Sequence, residues 1–544
     1  MKIAIAQQNY LIGDFEGNRK KIIDAVQEAK KSGADLIMFS ELSVCGYPPR
    51  DFLEFRSFIE QCYHSVNLIA IEAVGIAVLI GAPAVNPKAE GKDLFNSAYF
   101  LFDGKIQHVI HKSLLPNYDV FDEYRYFEPN REFDAFDFMG KKIAFTVCED
   151  IWNTGINPLY INTPVEKLSK FKPDYLLNIS ASPFDGGKAK ARIELLKDIA
   201  IDYGIPVFYC NCVGAQTELI FDGGSLVITP DGEVFDEMNY FGEQLKVYDL
   251  DEVVNGKNIS DRSQPKEKSE LVFNALVFGV REYFKKLNFS KAILGLSGGI
   301  DSAVVAVIAV AALGKENVLG VLMPSAFSSE GSVTDSIVLA KNLGINYKTI
   351  PIKDVFDSSL QTLKPFFENK IFDVAEENMQ ARIRALFLMA LSNKHQYILL
   401  NTSNKSEMAV GYGTLYGDLC GGISVLGDVY KTAVYQLVAF INREKEIIPS
   451  NIISKPPSAE LRPNQKDADS LPEYEVLDKI LFHYIEERLG ASEIKKLGFE
   501  KSLVDRILKM VNANEHKRHQ APPVLRVSIK SFGSGRRLPI VAKY

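Results

Sequence analysis

Basic residues are not in excess here: 62 lysines and arginines stand against 69 aspartates and glutamates, a net charge of −7. No block of basic residues makes up for this locally, so a nucleic-acid partner is not expected. Long apolar runs are missing too. The longest, residues 303–313, is about half of what a bilayer span needs, and no membrane partner is expected. The opening residues MKIAIAQQNY alternate like a strand. They carry no basic n-region, apolar h-region or small-residue cleavage site, so no secretory leader is expected. Cysteine is sparse and scattered, at Cys45, Cys62, Cys148, Cys210, Cys212 and Cys420. A disulfide scaffold of this size would be unusual, and reduced thiols in a cytoplasm are the expectation. Cys210-Asn211-Cys212 has no second pair and no histidine close by, and reads as structural. Internal repeats and low-complexity tracts are absent.

What is present is ordinary globular material, 47% hydrophobic and 24% charged over 544 residues. That length exceeds one ordinary domain. In the first half, strand-like runs at 2–7, 35–40, 77–81, 97–102, 142–147, 175–179, 206–212 and 225–229 accompany helical periodicity at 17–32. A polar stretch rich in mixed charge, 253–270, is the predicted linker between domains 1–252 and 271–544. The second half restarts with helices at 271–286, 301–313, 332–343 and 373–392. Strands at 291–295, 317–323, 347–352 and 397–401 lie between them. Strands separated by helix-length segments predict parallel βαβ units and an α/β class.

Three chemically expressive residues lie at or just after strand ends in the first half. Glu41 follows DLIMFS, Lys112 follows KIQHVIH, and Cys148 follows KIAFTV. Side chains converge on a site at such ends. A thiolate can attack an amide carbonyl, a carboxylate can carry the thiol proton to the leaving amine, and an ammonium can steady the oxyanion. No histidine is near Cys148 in sequence, and His111 would point away from Lys112 along a continuing strand.

The order Glu41-Leu42-Ser43, His111-Lys112 with Leu115-Pro116-Asn117-Tyr118, and Val147-Cys148-Glu149-Asp150 resembles the nitrilase, or carbon–nitrogen hydrolase, superfamily. Phe121-Asp122-Glu123 is also similar to that family. The resemblance implies a four-layer α-β-β-α sandwich with a glutamate base, a lysine and a cysteine nucleophile. Within the superfamily, Asn178 to Phe184 with the following Lys188 resembles a glutamine-binding stretch. It implies glutamine contacts at Tyr118, Ser182 and Lys188, with Glu123 beside them.

The second half holds Gly295-Leu296-Ser297-Gly298-Gly299-Ile300-Asp301-Ser302 between a strand and a helix. Paired glycines let backbone approach a ligand, and free amides at a helix start make an anion site. Asp301 would repel a bare phosphate and makes sense as a ligand for a bridging Mg²⁺. The loop lacks the Gly-Lys-Ser/Thr ending of a Walker A motif and is not G-x-G-x-x-G. It resembles the pyrophosphate loop of the ATP pyrophosphatases. That resemblance implies a Rossmann-like, parallel-sheet domain of the adenine nucleotide α-hydrolase type, with ATP as co-substrate.

Within that group, several further segments match the NAD synthetases in order. They are Glu377 to Arg384, Asn401 to Glu407, Gly411 to Thr414, Tyr416 to Asp418, and Glu515 to Arg518. Ser403 is a departure from the glycine common there. The match implies Thr402 on ATP, Glu407 as a second Mg²⁺ ligand, and deamido-NAD⁺ contacts at Asn378, Arg382, Glu407 and Lys517. Arg382 and Arg384 are two apart on a helix and face different ways.

Together the halves resemble the glutamine-dependent NAD⁺ synthetase family. The implied chemistry releases ammonia from L-glutamine and delivers it to an adenylated deamido-NAD⁺, in a homo-oligomer. Two alternatives stay open at this point: another ATP-dependent amidotransferase on the same two folds, and a scaffold built from two decayed enzyme domains.

Overall fold

The computed structural model describes residues 1–153, 159–256, 267–368, 370–463 and 465–542. The chain divides into two compact units, Met1–Pro265 and Lys266–Tyr544. Of the linker predicted at 253–270, residues 257–266 lie outside the described residues. Its flanks are helical, ending the helix Leu250–Val254 and opening the helix Lys268–Lys286.

The first unit carries β1 (Lys2–Gln7), β2 (Leu36–Met38), β3 (Ala77–Val85), β4 (Leu94–Phe102), β5 (Lys105–His111), β6 (Phe136–Phe138) and β7 (Lys141–Val147). It continues with β8 (Tyr175–Ser180), β9 (Val207–Asn211), β10 (Val213–Gln216), β11 (Leu219–Asp222), β12 (Leu226–Ile228), β13 (Val234–Glu237) and β14 (Gln244–Asp249). One six-stranded sheet runs β14-β1-β2-β3-β4-β5, a second runs β13-β12-β9-β8-β7-β6, and β10 pairs with β11. Each six-stranded sheet has a parallel centre, β1-β2-β3 in one and β7-β8-β9 in the other, with antiparallel strands outside it.

Alternation along the strands decides the layers. Ile3 and Ile5 share an inner core with Leu36, Phe145, Leu177 and Phe208 of both sheets. Ala4 and Ala6 face the other way, onto Ile22 and Val26 of the helix Phe15–Lys31 and onto Val66 and Ile69 of the helix Arg56–Glu72. The second sheet covers its outer face with Leu196 and Ile199 of the helix Lys188–Tyr203. The result is the expected α-β-β-α sandwich. The helix Phe15–Lys31 starts where the Asp14 side chain accepts from the Gly17 N–H, with Glu16 in its first turn and Lys30 and Lys31 in its last.

The second unit adds β15 (Ala292–Gly295), β16 (Val318–Leu322), β17 (Asn346–Thr349), β18 (Ile398–Asn401) and β19 (Ile423–Ser424). They form one parallel sheet in the order β17-β16-β15-β18-β19. The chain reverses direction across the sheet at β15, which places the crevice beyond β15 and β18 at a topological switch point. The crossover helices Ile300–Leu313, Glu330–Leu343 and Val374–His395 join successive strands. A separate helical core gathers Leu477, Ile480, Val504, Ile507 and Val511 around Met408. No helix among the described residues is long and apolar enough to cross a membrane.

Phe208 is wholly buried between the two sheets, its ring edge-on to Tyr175 and Tyr248. Phe208→Ala is expected to lower the stability of the first unit by about 3–5 kcal/mol, read as a shift in its denaturant midpoint.

Candidate active sites

Glu41 sits in the turn after β2, and its position depends on a glycine. A Cβ at Gly81, on β3, would lie 2.2 Å from the Leu42 nitrogen and 2.9 Å from the Glu41 Cα. The turn can therefore lie flat against β3 only because residue 81 has no side chain. Leu42 itself takes a positive φ of 47°. Cys148 follows β7 and is held at φ 46°, in the left-handed region that non-glycine residues rarely occupy. Asp150 holds that elbow. Its Oδ2 accepts from the Val147 N–H (3.1 Å), while Oδ1 accepts from the Ser113 (2.9 Å) and Leu114 (2.8 Å) N–H groups. One carboxylate thus ties the Cys148 turn to the segment carrying Lys112.

The Lys112 ammonium has 0% exposure. It donates to Glu41 Oε1 at 2.7 Å and lies 2.9 Å and 2.8 Å from the two oxygens of Glu123. Asn96 Nδ2 also donates to Glu41 Oε1 (2.7 Å), and the Ala181 N–H donates to Oε2 (3.0 Å). Tyr47 donates to Glu123 Oε1 (2.8 Å). Burial disfavours the charge on Lys112, but Glu123 and Glu41 outweigh it and hold its pKa well above the ordinary value. Burial pushes the Glu123 carboxyl up to about 7, with Lys112 opposing and Glu41 adding to the rise. One ammonium cannot fully neutralise two carboxylates out of water. Burial, then Glu41, raises the Cys148 thiol, while Lys112 pulls it down. These surroundings keep Cys148 a neutral thiol. His111 is engaged elsewhere: its ring stacks on Phe95 at 4.2 Å, its Nδ1 meets Ser97 Oγ at 2.7 Å, and burial lowers its pKa to about 4.

Around this centre lie the residues read as glutamine contacts. Tyr118 donates to Glu149 Oε1 (2.7 Å). Ser182 is buried, with no partner for its Oγ among the described residues, and its N–H donates to Asn211 Oδ1 (2.9 Å). Lys188 opens a helix and stands over the rings of Trp152 (5.4 Å) and Phe121 (5.8 Å). Glu123 is brought onto Lys112 itself, in the company of Tyr47 and Asn96. All six cysteines are free.

In the second unit the glycine-rich loop joins β15 to the helix Ile300–Leu313. Gly298 has φ 75°, and a Cβ there would lie 2.5 Å from the Ser332 carbonyl oxygen. Ser297 Oγ accepts from the Gly299 N–H (3.2 Å), and Ser302 Oγ donates to the Gly299 carbonyl (3.0 Å). Asp301 is met by Asn404 Nδ2 (3.1 Å) and, more closely, by the Lys431 ammonium. Lys431 also lies 3.9 Å from Glu407. Burial opposes the Lys431 charge, yet Asp301 and Glu407 raise its pKa. Burial and then Asp301 hold the Glu407 carboxyl well above its usual range, with Lys431 opposing. Thr402 follows β18 directly.

Among the described residues no cluster of three or more His, Cys, Asp or Glu could hold a metal ion. Asp301 and Glu407 nevertheless fit Mg²⁺ by their chemistry. They are hard carboxylate donors drawn to one cation, and Mg²⁺ commonly uses one or two carboxylates beside substrate phosphates.

The residues read as deamido-NAD⁺ contacts are more dispersed. Asn378 Oδ1 accepts from Thr414 Oγ1 (2.7 Å), and Arg382 Nε donates to the Leu415 carbonyl (3.2 Å). Arg384 turns instead to the Met323 carbonyl (3.0 Å). Lys517 donates to the carbonyls of Gly411 (2.7 Å) and Gly413 (2.9 Å). Sequence reasoning assigned no role to Asn96, Tyr47, Asp150, Asn404 or Lys431, although Asp150 and Asn404 lie inside segments that it matched. Asn96 left a weaker signal, as a polar residue inside the apolar run LFNSAYFLF.

Comparison with known proteins completes the picture. The family model for carbon–nitrogen hydrolase matches residues 2–256, and that for NAD synthase matches residues 272–521. The chain is 45% identical over 552 residues to the glutamine-dependent NAD(+) synthetase of Synechocystis sp., covering 100% of this chain and 99% of that one. It is 44% identical over 581 residues to the protein of the same name from Thermotoga maritima, with 100% and 99% covered. Among solved structures, the glutamine-dependent NAD+ synthetase of Acinetobacter baumannii in complex with adenosine diphosphate superposes with a TM-score of 0.79. That match has 38% identity and covers 99% of this chain and 98% of that one.

Gly81→Ala is expected to displace Glu41; if Glu41 acts on glutamine, hydrolysis slows by about 100-fold, the scale on which misplacing a reacting group costs rate. A rate assay on the full chain with L-glutamine alone checks it.

Proposed function

The chain belongs to the glutamine-dependent NAD⁺ synthetase family, and we propose that its two units divide the work through the residues described above. The enzyme is a ligase that amidates deamido-NAD⁺ to NAD⁺ with ATP, using ammonia from L-glutamine. This is the last step of NAD biosynthesis. It passes through an acyl-adenylate and yields AMP and pyrophosphate.

In our reading Cys148 attacks the side-chain amide of glutamine, and Glu41 takes the thiol proton and passes it to the leaving ammonia. Lys112 steadies the oxyanion, and Glu123, Asn96 and Tyr47 hold the charges in place. Tyr118, Ser182 and Lys188 bind glutamine. Water then clears the glutamyl thioester. The observation that supports this most is the buried ion pair of Lys112 with Glu41 beside a cysteine in a strained turn.

In the second unit the amides of residues 295–302, with Thr402, bind ATP. The nicotinate carboxylate of deamido-NAD⁺ attacks the α-phosphate, and pyrophosphate leaves beside Lys431. A carboxylate is a poor electrophile, and adenylation supplies its leaving group. Asp301 and Glu407 would hold Mg²⁺, which when bound adds positive charge at the phosphates. Asn378, Arg382, Glu407 and Lys517 orient deamido-NAD⁺. Lys517 would donate to it only by releasing Gly411 and Gly413, or by using its third N–H. We further read the enzyme as a cytoplasmic homo-oligomer, on the likeness of its first unit to nitrilase-type domains and on its free thiols.

Cys148→Ala is expected to abolish NAD⁺ formation with glutamine while keeping it with ammonium. Asp301→Ala is expected to lower it at least about 100-fold with either nitrogen source, the order seen when a charge-stabilising group is removed. Product assays with deamido-NAD⁺, ATP and Mg²⁺ decide both. Persistent glutamine-driven synthesis in Cys148→Ala sinks the nucleophile assignment.

A further inference from the structure

The helix Val374–His395 carries two arginines with different surroundings. Arg382 is exposed, and its Nε donates to the Leu415 carbonyl (3.2 Å). Arg384 turns inward, to the carboxyl edge of the parallel sheet. Its Nε donates to the carbonyl of Met323 (3.0 Å), the residue that directly follows β16. One turn along the same helix face, Leu388 closes over the end of β15. A Cβ at Gly295 would lie 3.6 Å from Leu388 Cδ1 and 3.4 Å from Met323 Cε. The guanidinium therefore stands beside the strand ends from which the glycine-rich loop departs, on the edge where such sheets bind ligands.

Its charge has no counter-ion. Among the described residues no carboxylate pairs with Arg384, and its Nη groups have no hydrogen-bond partner. Burial lowers its pKa to about 10, with Asp418 and Glu460 opposing from beyond ion-pair distance. Both acids are engaged elsewhere. Asp418 accepts from the Thr414 N–H (2.7 Å). Glu460 Oε1 accepts from Lys455 (2.6 Å), Ser332 (2.8 Å) and Ser329 (2.9 Å). A mostly buried guanidinium without a carboxylate is costly, and calls for an anion that arrives with a substrate.

The placement narrows the choice of anion. Asp418 sits with Thr414, whose hydroxyl donates to Asn378 (2.7 Å), on the side read as the place of deamido-NAD⁺. Glu460 is bonded to Ser332, whose carbonyl abuts Gly298 of the glycine-rich loop. Arg384 feels both acids and so lies between the two sets. Between a bound ATP and a bound deamido-NAD⁺ lies the α-phosphate, which the nicotinate carboxylate must approach although both are anions. We propose that the Nη groups of Arg384 hold the α-phosphate of ATP and screen it from the incoming carboxylate, staying on it in the acyl-adenylate and in AMP. This rests on the adenylation reading above. In that step a carboxylate oxygen forms a bond to the α-phosphorus, the bond from that phosphorus to the bridging oxygen breaks, and pyrophosphate leaves with the electron pair beside Lys431. Arg384 and Lys431 then divide the phosphates, one on the part kept and one on the part released.

The test titrates the full-length chain separately with AMP, adenosine and inorganic pyrophosphate, with deamido-NAD⁺ present throughout to fill its own place. It uses wild type, Arg384→Gln and Arg384→Lys, and a thermal melt checks that the fold is kept. Arg384→Gln is expected to bind AMP about 10- to 100-fold more weakly, the scale of a hydrogen bond to a charged group, and adenosine and pyrophosphate as before. Arg384→Lys keeps the charge but not the planar fork, and is expected to lose less. With ammonium as nitrogen source, Arg384→Gln is expected to lower kcat for NAD⁺ formation at least about 100-fold. A wild type that binds AMP no more tightly than adenosine overturns the proposal without any variant. Equal weakening of AMP and adenosine, or no weakening of AMP, overturns it as well. Weakening of pyrophosphate alone overturns it too, and assigns Arg384 to the leaving group. If Arg384→Gln does not fold, Arg384→Lys is read by the same rule. If wild type shows no exchange of pyrophosphate into ATP that depends on deamido-NAD⁺, the adenylation reading beneath the proposal fails instead.

Discussion

The Lys112 ammonium lies wholly out of water, and only the carboxylates of Glu41 and Glu123 make that tolerable. An isolated charge in such a place would shed its proton or unfold its surroundings. Held between two acids, it stays charged and becomes a fixed point. Glu41 is pinned by it from one side and by Asn96 and the Ala181 amide from others, so this carboxylate cannot wander. The Asp150 carboxylate then links the lysine's segment to the cysteine's turn through three backbone N–H bonds. The geometry of Glu41, Lys112 and Cys148 is thus held by electrostatics, inside a sandwich whose apolar core supplies the low dielectric.

The second unit repeats that stoichiometry for another purpose. Lys431 meets Asp301 and Glu407, again one ammonium for two acids, but beside the glycine-rich loop that joins β15 to the helix Ile300–Leu313. In the first unit the excess negative charge is sealed in and tunes a thiol. In the second it gathers beside the glycine-rich loop, where we propose that ATP and Mg²⁺ bind. Gly81 and Gly298 serve the two sites alike, each allowing one piece of backbone to lie against another where a Cβ would collide.

Part of this was legible before the structure. Glu41, Lys112 and Cys148 were singled out by chemistry and by standing at strand ends, and the structure brings them together; the loop 295–302 was singled out by its glycines and does lie between strand and helix. The parallel sheet followed from the alternation of strand and helix. What stayed hidden depends on contacts between distant residues. Nothing in the sequence near Lys431 says that it will meet Asp301, 130 positions earlier. Tyr47 and Asn96 look like an ordinary turn and an ordinary strand until Glu123 and Glu41 are placed beside them. The pairing of β14 with β1, which joins the two ends of the first unit in one sheet, is equally silent in local pattern. Helix and strand limits moved by a few residues, because caps and pairing partners set the last residue of an element and periodicity does not.

The company Lys431 keeps also bears on how this protein can change over evolutionary time. Replacing it with a neutral residue would leave Asp301 and Glu407 facing each other in a largely buried crevice. Replacing either acid would leave an ammonium short of its counter-charge. Single substitutions at these three positions each pass through a state with an unbalanced charge. The trio is therefore expected to drift only as a set, and a lineage that lost the nucleotide chemistry would be recognised by the three changing together.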